Sequence, residues 1–219
     1  MKRLLLIFAI LLAARAQDQH PVTQRAIAPV MGADGAEWLT RPEREAEEHP
    51  RAALDEIGIQ KGSTVADIGA GNGFYTLLLA ERVGPSGKVY ANDIQPEMLK
   101  LLDQRVRVHG LKNVISVLGA EDDPKLPPAS IDVAMLVDVY HEFSKPQAMI
   151  RKLRESLKPD GRLVLLEFRA EDPHVPIRPD HKMTVKQVRA EIEPEGFKLL
   201  KVSEKLPWQH ILIFNKTRQ

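Results

Sequence analysis

Apolar and polar residues alternate in regular blocks from residue 64 onward. A β-branched run at Thr64–Ile68 predicts a strand, and an apolar segment at Phe74–Val83, beyond a glycine-rich turn, predicts a helix. The same order returns with a strand at Lys88–Asp93 and a helix that begins near Pro96. This alternation predicts a parallel sheet with helices on both faces.

The second half of the chain continues this alternation and then departs from it. Residues 131–139 form a nearly continuous apolar run, which is typical of a central strand. The last two strands are separated by a link too short for a helical crossover, so they should form an antiparallel hairpin. The predicted fold class is therefore α/β, with a doubly wound, mostly parallel sheet of seven strands that ends in an antiparallel hairpin. The other predicted elements are strands at 114–118, 162–168, 197–204 and 210–215, helices at 146–157 and 184–192, and a turn at 158–161.

The N-terminus precedes this pattern and divides into segments. Residues 1–16 combine a basic start, an apolar run over residues 4–14 and an Ala-x-Ala cleavage motif, which predict a signal peptide. The apolar run is shorter than the roughly 20 residues that span a bilayer. We therefore expect cleavage near Ala16 and an exported protein, periplasmic or extracellular, with no transmembrane span in the mature chain. Residues 17–40 predict an irregular lead-in, and residues 41–219 form the main domain.

A glycine-rich turn joins the first strand of the domain to the helix that follows. Asp67 lies near the end of the strand, and Gly69, Gly71 and Gly73 form the turn. Glycines let the backbone approach a ligand closely, and the following helix offers free backbone N–H groups. Asp93 ends the second strand, twenty residues beyond Gly73, where a carboxylate can bind both hydroxyls of a ribose. These residues predict a cofactor that contains a nucleoside.

The spacing of the glycines separates two classes of cofactor. A dinucleotide places pyrophosphate over the start of the helix and requires the pattern G-x-G-x-x-G. Here Gly73 comes one residue early, and Phe74 stands where the third glycine would be. A nucleoside with a positive sulfonium and no phosphate benefits instead from carboxylates such as Asp67. The sequence therefore favours a sulfonium nucleoside over NAD.

From about Ala52 to the C-terminus, this series of motifs resembles the class I S-adenosylmethionine-dependent methyltransferases. The resemblance implies a Rossmann-like fold, S-adenosylmethionine as cofactor and a methyl acceptor. Within the family, the chain is similar to the small-molecule branch of the ubiquinone/menaquinone type, and it lacks the cysteines that arsenite methyltransferases use. The implied function is methyl transfer from S-adenosylmethionine to an unidentified small molecule.

The resemblance assigns cofactor contacts to four motifs. The glycine turn contacts the methionine part, and the acid that ends the second strand holds the ribose while its neighbour packs on the adenine. An acidic loop after the third strand faces the adenine amino group, and an acid after the fourth strand lines the active site. In chain order, the implied residues are Asp67, Gly69, Gly71 and Gly73, then Asp93 and Ile94, then Glu121 or Asp122, and finally Asp138.

Methyl transfer from a sulfonium is an in-line displacement, so positioning and exclusion of water should dominate catalysis. Where the acceptor must lose a proton, His141 is the candidate base, and Glu142 could orient its imidazole or bind a cationic acceptor. The alternative is that both residues only cap the strand. A metal site built from His141, Glu142 and His181 lacks a recognisable spacing, so no metal is expected.

Two other segments bear on the site. Residues 169–183 carry three prolines and two histidines and are interpreted either as a lid or acceptor-binding loop or as a plain surface connector. Residues 41–57 predict a charged helix that Pro50 interrupts. Its acidic residues predict a solvated helix face, which comprises Glu43, Glu45, Glu47 and Glu48.

Composition narrows the possible functions. The chain of 219 residues carries 31 basic and 30 acidic residues, and removal of residues 1–16 leaves 28 basic against 30 acidic. Without a long basic run, nucleic acid is a disfavoured partner. The chain has no cysteine, which excludes disulfides and thiolate metal sites. Two alternatives stay open: an NAD(P)-dependent oxidoreductase on a Rossmann-like sheet, and a non-catalytic secreted binding module that keeps the fold without turnover.

Overall fold

The computed structural model describes residues 18–217, so the predicted signal peptide lies outside the described residues. The strands are β1 Thr64–Ile68, β2 Lys88–Asp93, β3 Val114–Leu118, β4 Ile131–Val137, β5 Leu157–Arg169, β6 Lys182–Met183, β7 Phe197–Ser203 and β8 Gln209–Lys216. The α-helices are α1 Arg44–Glu48, α2 Pro50–Ile57, α3 Phe74–Val83, α4 Pro96–Val108, α5 Pro146–Ser156 and α6 Val185–Ile192. Within this described part of the chain, no helix is long and apolar enough to cross a membrane.

The strands form one sheet in the order β3-β2-β1-β4-β5-β8-β7. Strands β1 to β5 are parallel to one another, whereas β8 runs antiparallel to both β5 and β7. The predicted doubly wound sheet with an antiparallel C-terminal hairpin is confirmed. The short strand β6, which was not predicted, pairs with the end of β5. Strand order reverses between β1 and β4, and such a reversal opens a crevice at the carboxyl ends of the strands.

Helices cover both faces of the sheet because the central strand β4 is apolar on both sides. Ala134 and Leu136 belong to a core that α5 and α6 cover. Val133 and Met135 belong to a second core, which α2 and α3 cover. All four side chains are buried, so the strands that lead into the crevice are held from both sides.

Among the strand bounds that differ from the prediction, those of β4 and β5 differ for reasons that lie in the backbone. Strand β4 ends at Val137, two residues early, because Asp138 has a φ of 48°, outside the extended region. The turn predicted at residues 158–161 is instead an irregularity inside β5, where the register of pairing with β4 shifts. Because of its positive φ, Asp138 leaves the direction of strand β4 at the edge of the crevice.

The N-terminal segments are more regular than predicted. Part of the irregular lead-in forms a 3-10 helix, Ala33–Thr40. The helix predicted over residues 41–57 divides into α1 and α2 at His49, whose φ is 46°. Pro50 is the first residue of α2, a position where its missing N–H leaves no helical hydrogen bond unmade. The predicted interruption by Pro50 is therefore confirmed.

Candidate active site

A cavity of about 460 Å³ lies at the carboxyl ends of the central strands. Its floor is the glycine turn after β1 together with the polar residues that end β2 and β4. Residues from two further segments, 30–48 and 176–181, contribute to the wall. The volume suits a small molecule or a cofactor. The proline-rich segment therefore contributes to the site, as the lid or acceptor-binding interpretation expected.

The glycine turn brings bare backbone to the cavity. Gly69 has a φ of 67°, and a Cβ there would lie 2.3 Å from Cγ2 of Val139. Gly71 has a φ of 53°, and a Cβ there would lie 2.7 Å from Cδ1 of Leu39. Both glycines line the cavity. Since both positions combine a left-handed backbone with a close approach, they favour glycine.

Asp93 ends β2 on the cavity wall, with each carboxylate oxygen held by a backbone N–H. Gly71 donates to Oδ2 at 2.9 Å, and Gln95 donates to Oδ1 at 2.8 Å. Burial raises the pKa of Asp93, while these backbone donors act in the opposite direction. Ile94 lies beside it with 40% of its surface exposed. Each oxygen keeps acceptor capacity for a further donor, as a ribose diol requires.

Asp67 and Gly73 do not line the cavity, although the sequence assigned both to cofactor contact. Asp67 is 2% exposed, and its Oδ2 accepts a hydrogen bond of 2.6 Å from Oγ1 of Thr76 in α3. Burial raises its pKa to about 6. Gly73 precedes α3 with a φ of 88° and faces Leu102. The geometry makes these two residues supports of the turn, because they fix β1 to α3 and α3 to α4.

The structure separates the two candidates for the adenine-facing acid. Glu121 lines the cavity, whereas Asp122 does not. Lys145 lies near both, with Nζ at 3.8 Å from Glu121 Oε2 and 3.3 Å from Asp122 Oδ2. Both carboxylates are about half exposed. Of the two residues that the sequence left open, Glu121 occupies the position that can reach a ligand.

Asp138 lies on the wall where β4 ends, as the sequence expected. Nε2 of Gln209 donates to its Oδ2 at 2.6 Å, and its buried Oδ1 has no hydrogen-bond partner among residues 18–217. Burial, followed by the negative charges of Glu48 and Glu167, raises the pKa of Asp138 well above its usual range. A ligand that offers a donor to Oδ1 would satisfy this carboxyl.

Sequence reasoning missed a buried ion pair in the wall. Glu48 is 1% exposed, so its assignment to a solvated helix face is wrong. Arg44 Nε lies 2.5 Å from Glu48 Oε1, and Arg44 Nη2 donates to Glu48 Oε2 at 2.9 Å. Both residues line the cavity. The sequence signal that could have indicated this ion pair is the i, i+4 spacing of Arg44 and Glu48 in a predicted helix.

His141 and Glu142 follow β4 on one 3-10 turn and both line the cavity. Glu142 does not orient the imidazole as the sequence suggested, because Nδ1 of His141 lies 2.6 Å from Oε2 of Glu167. Since a carboxylate oxygen accepts hydrogen bonds, Nδ1 is the ring nitrogen that donates to Glu167, and Nε2 is the ring nitrogen that faces His181. Glu167 was not predicted as a site residue. The sequence signal that could have indicated it is a single charge within the apolar run of β5.

The proline-rich segment adds a second histidine to this group. Nδ1 of His181 lies 3.1 Å from Nε2 of His141 and 3.9 Å from Oε1 of Glu142. Burial raises the pKa of Glu142 to about 7. Although the sequence offered no metal-binding spacing, the three residues offer ligand atoms that all lie within 4.8 Å of one another. His174, from the same segment, is 92% exposed on its side chain and pairs with Asp172 instead.

A family model described as a methyltransferase domain matches residues 59–213. The chain belongs to this methyltransferase family. The matched region runs from before β1 into β8, so it contains β1 to β7, part of β8 and most of the cavity wall.

Known proteins with related sequences are also methyltransferases. The chain is 32% identical over 114 residues to a demethylmenaquinone methyltransferase from Geobacillus stearothermophilus, which covers 52% of this chain and 49% of the relative. It is 31% identical over 119 residues to a ubiquinone/menaquinone biosynthesis C-methyltransferase from Hahella chejuensis, covering 54% and 48%. The chain therefore matches about half the length of these relatives.

A solved structure of similar size matches most of the methyltransferase. An S-adenosylmethionine-dependent methyltransferase from Aquifex aeolicus superposes with a TM-score of 0.80 at 29% identity, covering 84% of this chain and 98% of that one. The residues of the cavity fit that cofactor, since the carboxylate of Asp93 could accept from a ribose diol, Ile94 could pack on an adenine ring, and a chain could pass the bare backbone of Gly69 and Gly71. Membership of this family disfavours the oxidoreductase alternative.

Proposed function

We propose that this protein transfers the methyl group of S-adenosylmethionine to a small-molecule acceptor. The observation that carries the proposal is the setting of Asp93. Its two oxygens are fixed by the N–H groups of Gly71 and Gln95 at the edge of the cavity. The bare backbone of Gly69 and Gly71 runs beside it. A fixed carboxylate next to bare backbone suits a nucleoside with an extended substituent.

The chain would hold the cofactor with few groups. Asp93 binds the ribose hydroxyls, Ile94 packs on the adenine, and Glu121 accepts from the adenine amino group. Gly69 and Gly71 let the amino-acid end lie against the backbone. When bound, the cofactor supplies an electrophilic methyl group on a sulfonium. The protein supplies position and a dry surrounding, which are the main requirements of an in-line displacement.

The acceptor is proposed to be a partly apolar small molecule. Aromatic side chains also line the cavity, including Phe143 and Phe168 and the half-exposed Trp38. The related protein from Geobacillus stearothermophilus is named for methyl transfer to demethylmenaquinone. An aromatic ring that carries a hydroxyl group combines this apolar surface with a proton to be removed.

His141 is the proposed base for such an acceptor. Glu167 holds Nδ1, which leaves Nε2 to accept a proton. The hydrogen bond also fixes the ring plane, so Glu167 acts as a positioning residue. Base catalysis of this kind contributes roughly a hundredfold to ten-thousandfold to a rate.

Transfer of a radiolabelled methyl group tests this function. The purified protein would be incubated with labelled S-adenosylmethionine and a panel that contains a short-chain demethylmenaquinone and simple phenols. We expect label in an extracted product, a loss of kcat of about 10²–10⁴ in His141→Gln, and no loss in the control His174→Gln. Cofactor binding without transfer to any member of a broad panel would favour the non-catalytic binding module.

Export is a separate part of the proposal and rests on residues 1–16 alone. The basic start, short apolar run and Ala-x-Ala motif support removal of this segment. The absence of cysteine suits an oxidising compartment. Mass spectrometry of the protein from its source cells should give Gln17 as the first residue in an exported fraction. A cytoplasmic protein that starts at Met1 would contradict export without affecting the proposed chemistry.

A further inference from the structure

His141, Glu142 and His181 come from two segments that meet at the cavity. His141 and Glu142 occupy the turn after β4, and His181 lies in the 3-10 turn Pro179–His181 just before β6. The pairing of β6 with β5 anchors that second turn beside the first. All three residues line the cavity, so an ion from solvent can reach them.

The spacing of their donor atoms suits a single small cation. The facing nitrogens of the two histidines are 3.1 Å apart, and Oε1 of Glu142 is 3.9 Å from Nδ1 of His181. Two ligands at about 2.05 Å from a tetrahedral ion are roughly 3.3 Å apart. Small side-chain adjustments would therefore let the two histidine nitrogens and the carboxylate oxygen of Glu142 coordinate one ion. Two imidazoles and one carboxylate form a ligand set that Zn²⁺ uses when one position stays open.

Glu167 supplies the second observation. Its Oε2 accepts from Nδ1 of His141 at 2.6 Å, and its Oε1 accepts from the backbone N–H of Tyr140 at 3.1 Å. A carboxylate that holds the far nitrogen of a histidine fixes the ring and makes its other nitrogen a better metal ligand. The lone pair of Nε2 is thereby directed at His181 and the cavity.

We propose that His141, Glu142 and His181 bind one divalent transition-metal ion, with Zn²⁺ as the reference ion and the open coordination position directed to the cavity. A direct hydrogen bond between the two histidines is the competing explanation of their contact. It accounts for the 3.1 Å distance. It does not require Glu142, so the two explanations differ in what the carboxylate does.

Metal binding and proton acceptance use the same nitrogen of His141. With the ion bound, His141 cannot act as the base. The ion would then lower the pKa of an oxygen acceptor at its open position, with the proton passing to solvent. This consequence rests on the proposed methyl transfer, whereas binding of the ion does not.

Titration of the chelator-treated full chain with Zn²⁺ against a chromophoric chelator tests the site without cofactor or acceptor. We expect one Zn²⁺ per chain, and a loss of affinity of at least about a hundredfold in His181→Ala and in Glu142→Gln. His181 lies at the cavity edge, so its replacement should leave the melting temperature of the metal-free protein nearly unchanged. The matched control, His174→Ala, removes an exposed histidine of the same segment and should retain full affinity.

Further measurements separate the possible outcomes. Glu167→Gln should weaken Zn²⁺ binding about ten- to a hundredfold, and Co²⁺ should give the strong visible absorption of a low-coordinate site. Asp93→Ala should leave Zn²⁺ binding unchanged, so failure of the cofactor site and failure of the metal site are distinguishable. No Zn²⁺ binding in the wild type, or equal affinity in His181→Ala and His174→Ala, would overturn the proposal.

Discussion

The two ends of the cavity are built by different means. At the cofactor end, Gly69 and Gly71 directly follow β1, Asp93 ends the neighbouring parallel strand β2, and the backbone N–H of Gly71 donates to the carboxylate of Asp93. At the acceptor end, His141, Glu167 and His181 come from three separate parts of the chain and meet through side chains. One end therefore follows from a local strand, turn and helix, whereas the other exists only after the whole sheet has formed.

The ends also differ in electrostatics. Near the cofactor end, Asp93 is a buried carboxylate whose oxygens each receive a backbone hydrogen bond. The acceptor end gathers Glu48, Glu167 and Asp138, and the first two have ionic or hydrogen-bonded partners in Arg44 and His141. Interactions between buried charges are strong, and a charge left without its partner is costly. Substitutions should therefore destabilise the acceptor end through charge and the cofactor end through sterics.

The largest expected effect is at the buried ion pair. Arg44→Met leaves the carboxylate of Glu48 without its partner and should lower the free energy of unfolding by about 3–5 kcal/mol. The control Arg51→Met removes an exposed arginine that pairs with Glu81 at 3.7 Å, and should cost at most about 1 kcal/mol. Urea denaturation of both variants measures the difference. Equal costs would contradict the burial of charge at this end.

A steric effect of somewhat smaller size is expected at the glycine turn. Gly69→Ala adds a Cβ 2.3 Å from Val139 at a φ of 67°, and should cost about 2–4 kcal/mol. Gly110→Ala is the matched control, because its φ is 66° and no atom lies within 4 Å of an added Cβ. It should cost only about 1–2 kcal/mol, the cost of the left-handed backbone. Thermal and urea unfolding that give both variants the same stability would contradict the close packing of the turn.

Asp67 should give the stability of the cofactor end a pH dependence. Burial raises its pKa from 3.8 to about 6. The protonated form favours folding, so this contribution is complete below pH 3.8 and is lost as the pH rises through about 6. A difference of about 2 between the two pKa values corresponds to about 3 kcal/mol as an upper value.

Urea denaturation at a series of pH values measures this contribution. From about pH 4 to pH 7, the wild type should lose up to about 3 kcal/mol relative to Asp67→Asn. The exposed control Asp160→Asn should follow the wild type. Parallel profiles for the wild type and Asp67→Asn would contradict the burial of an ionisable carboxyl beneath the turn.

The smallest expected effect separates the two acids of the loop after β3. Glu121→Gln should weaken S-adenosylmethionine binding by about 0.5–1.5 kcal/mol, because a neutral amide oxygen accepts a weaker hydrogen bond than the carboxylate does. Asp122→Asn should leave the affinity unchanged, since its side chain does not line the cavity. Calorimetric titration of both variants compares them. A larger loss in Asp122→Asn would reverse the assignment.

The difference between the ends also explains what the sequence could predict. The bounds of β1, β2, β3 and α3 follow from apolar periodicity and turn residues. The glycine turn and Asp93 were found because their spacing is local. Asp67 and Gly73 belong to the same motif, yet the fold turns them toward Thr76 and Leu102 rather than toward the cavity.

The acceptor end depends on contacts between residues that are far apart in the chain, and the sequence pattern does not indicate such contacts. Glu48 was interpreted as a solvated residue, because an acidic run in a short helix gives no sign of the cavity that buries it. The pairing of Glu167 with His141 joins a residue of β5 to the 3-10 turn that follows the neighbouring strand β4. His181 directly precedes the unpredicted strand β6, and the pairing of β6 with β5 positions it. The burial of Glu48, the contact of Glu167 with His141 and the position of His181 all depend on tertiary packing, which the hydrophobic periodicity of the sequence does not indicate.

Binding of S-adenosylmethionine through Asp93 tests the central claim most directly. Isothermal titration calorimetry would compare S-adenosylmethionine, S-adenosylhomocysteine and NADH on the wild type, Asp93→Ala and the exposed control Asp160→Ala. We predict that both adenosyl ligands bind, that NADH does not, and that Asp93→Ala alone weakens binding by about 1.5–3 kcal/mol, roughly tenfold to more than a hundredfold. Binding of NADH alone, or adenosyl binding that survives Asp93→Ala unchanged, would contradict the assignment of this cavity.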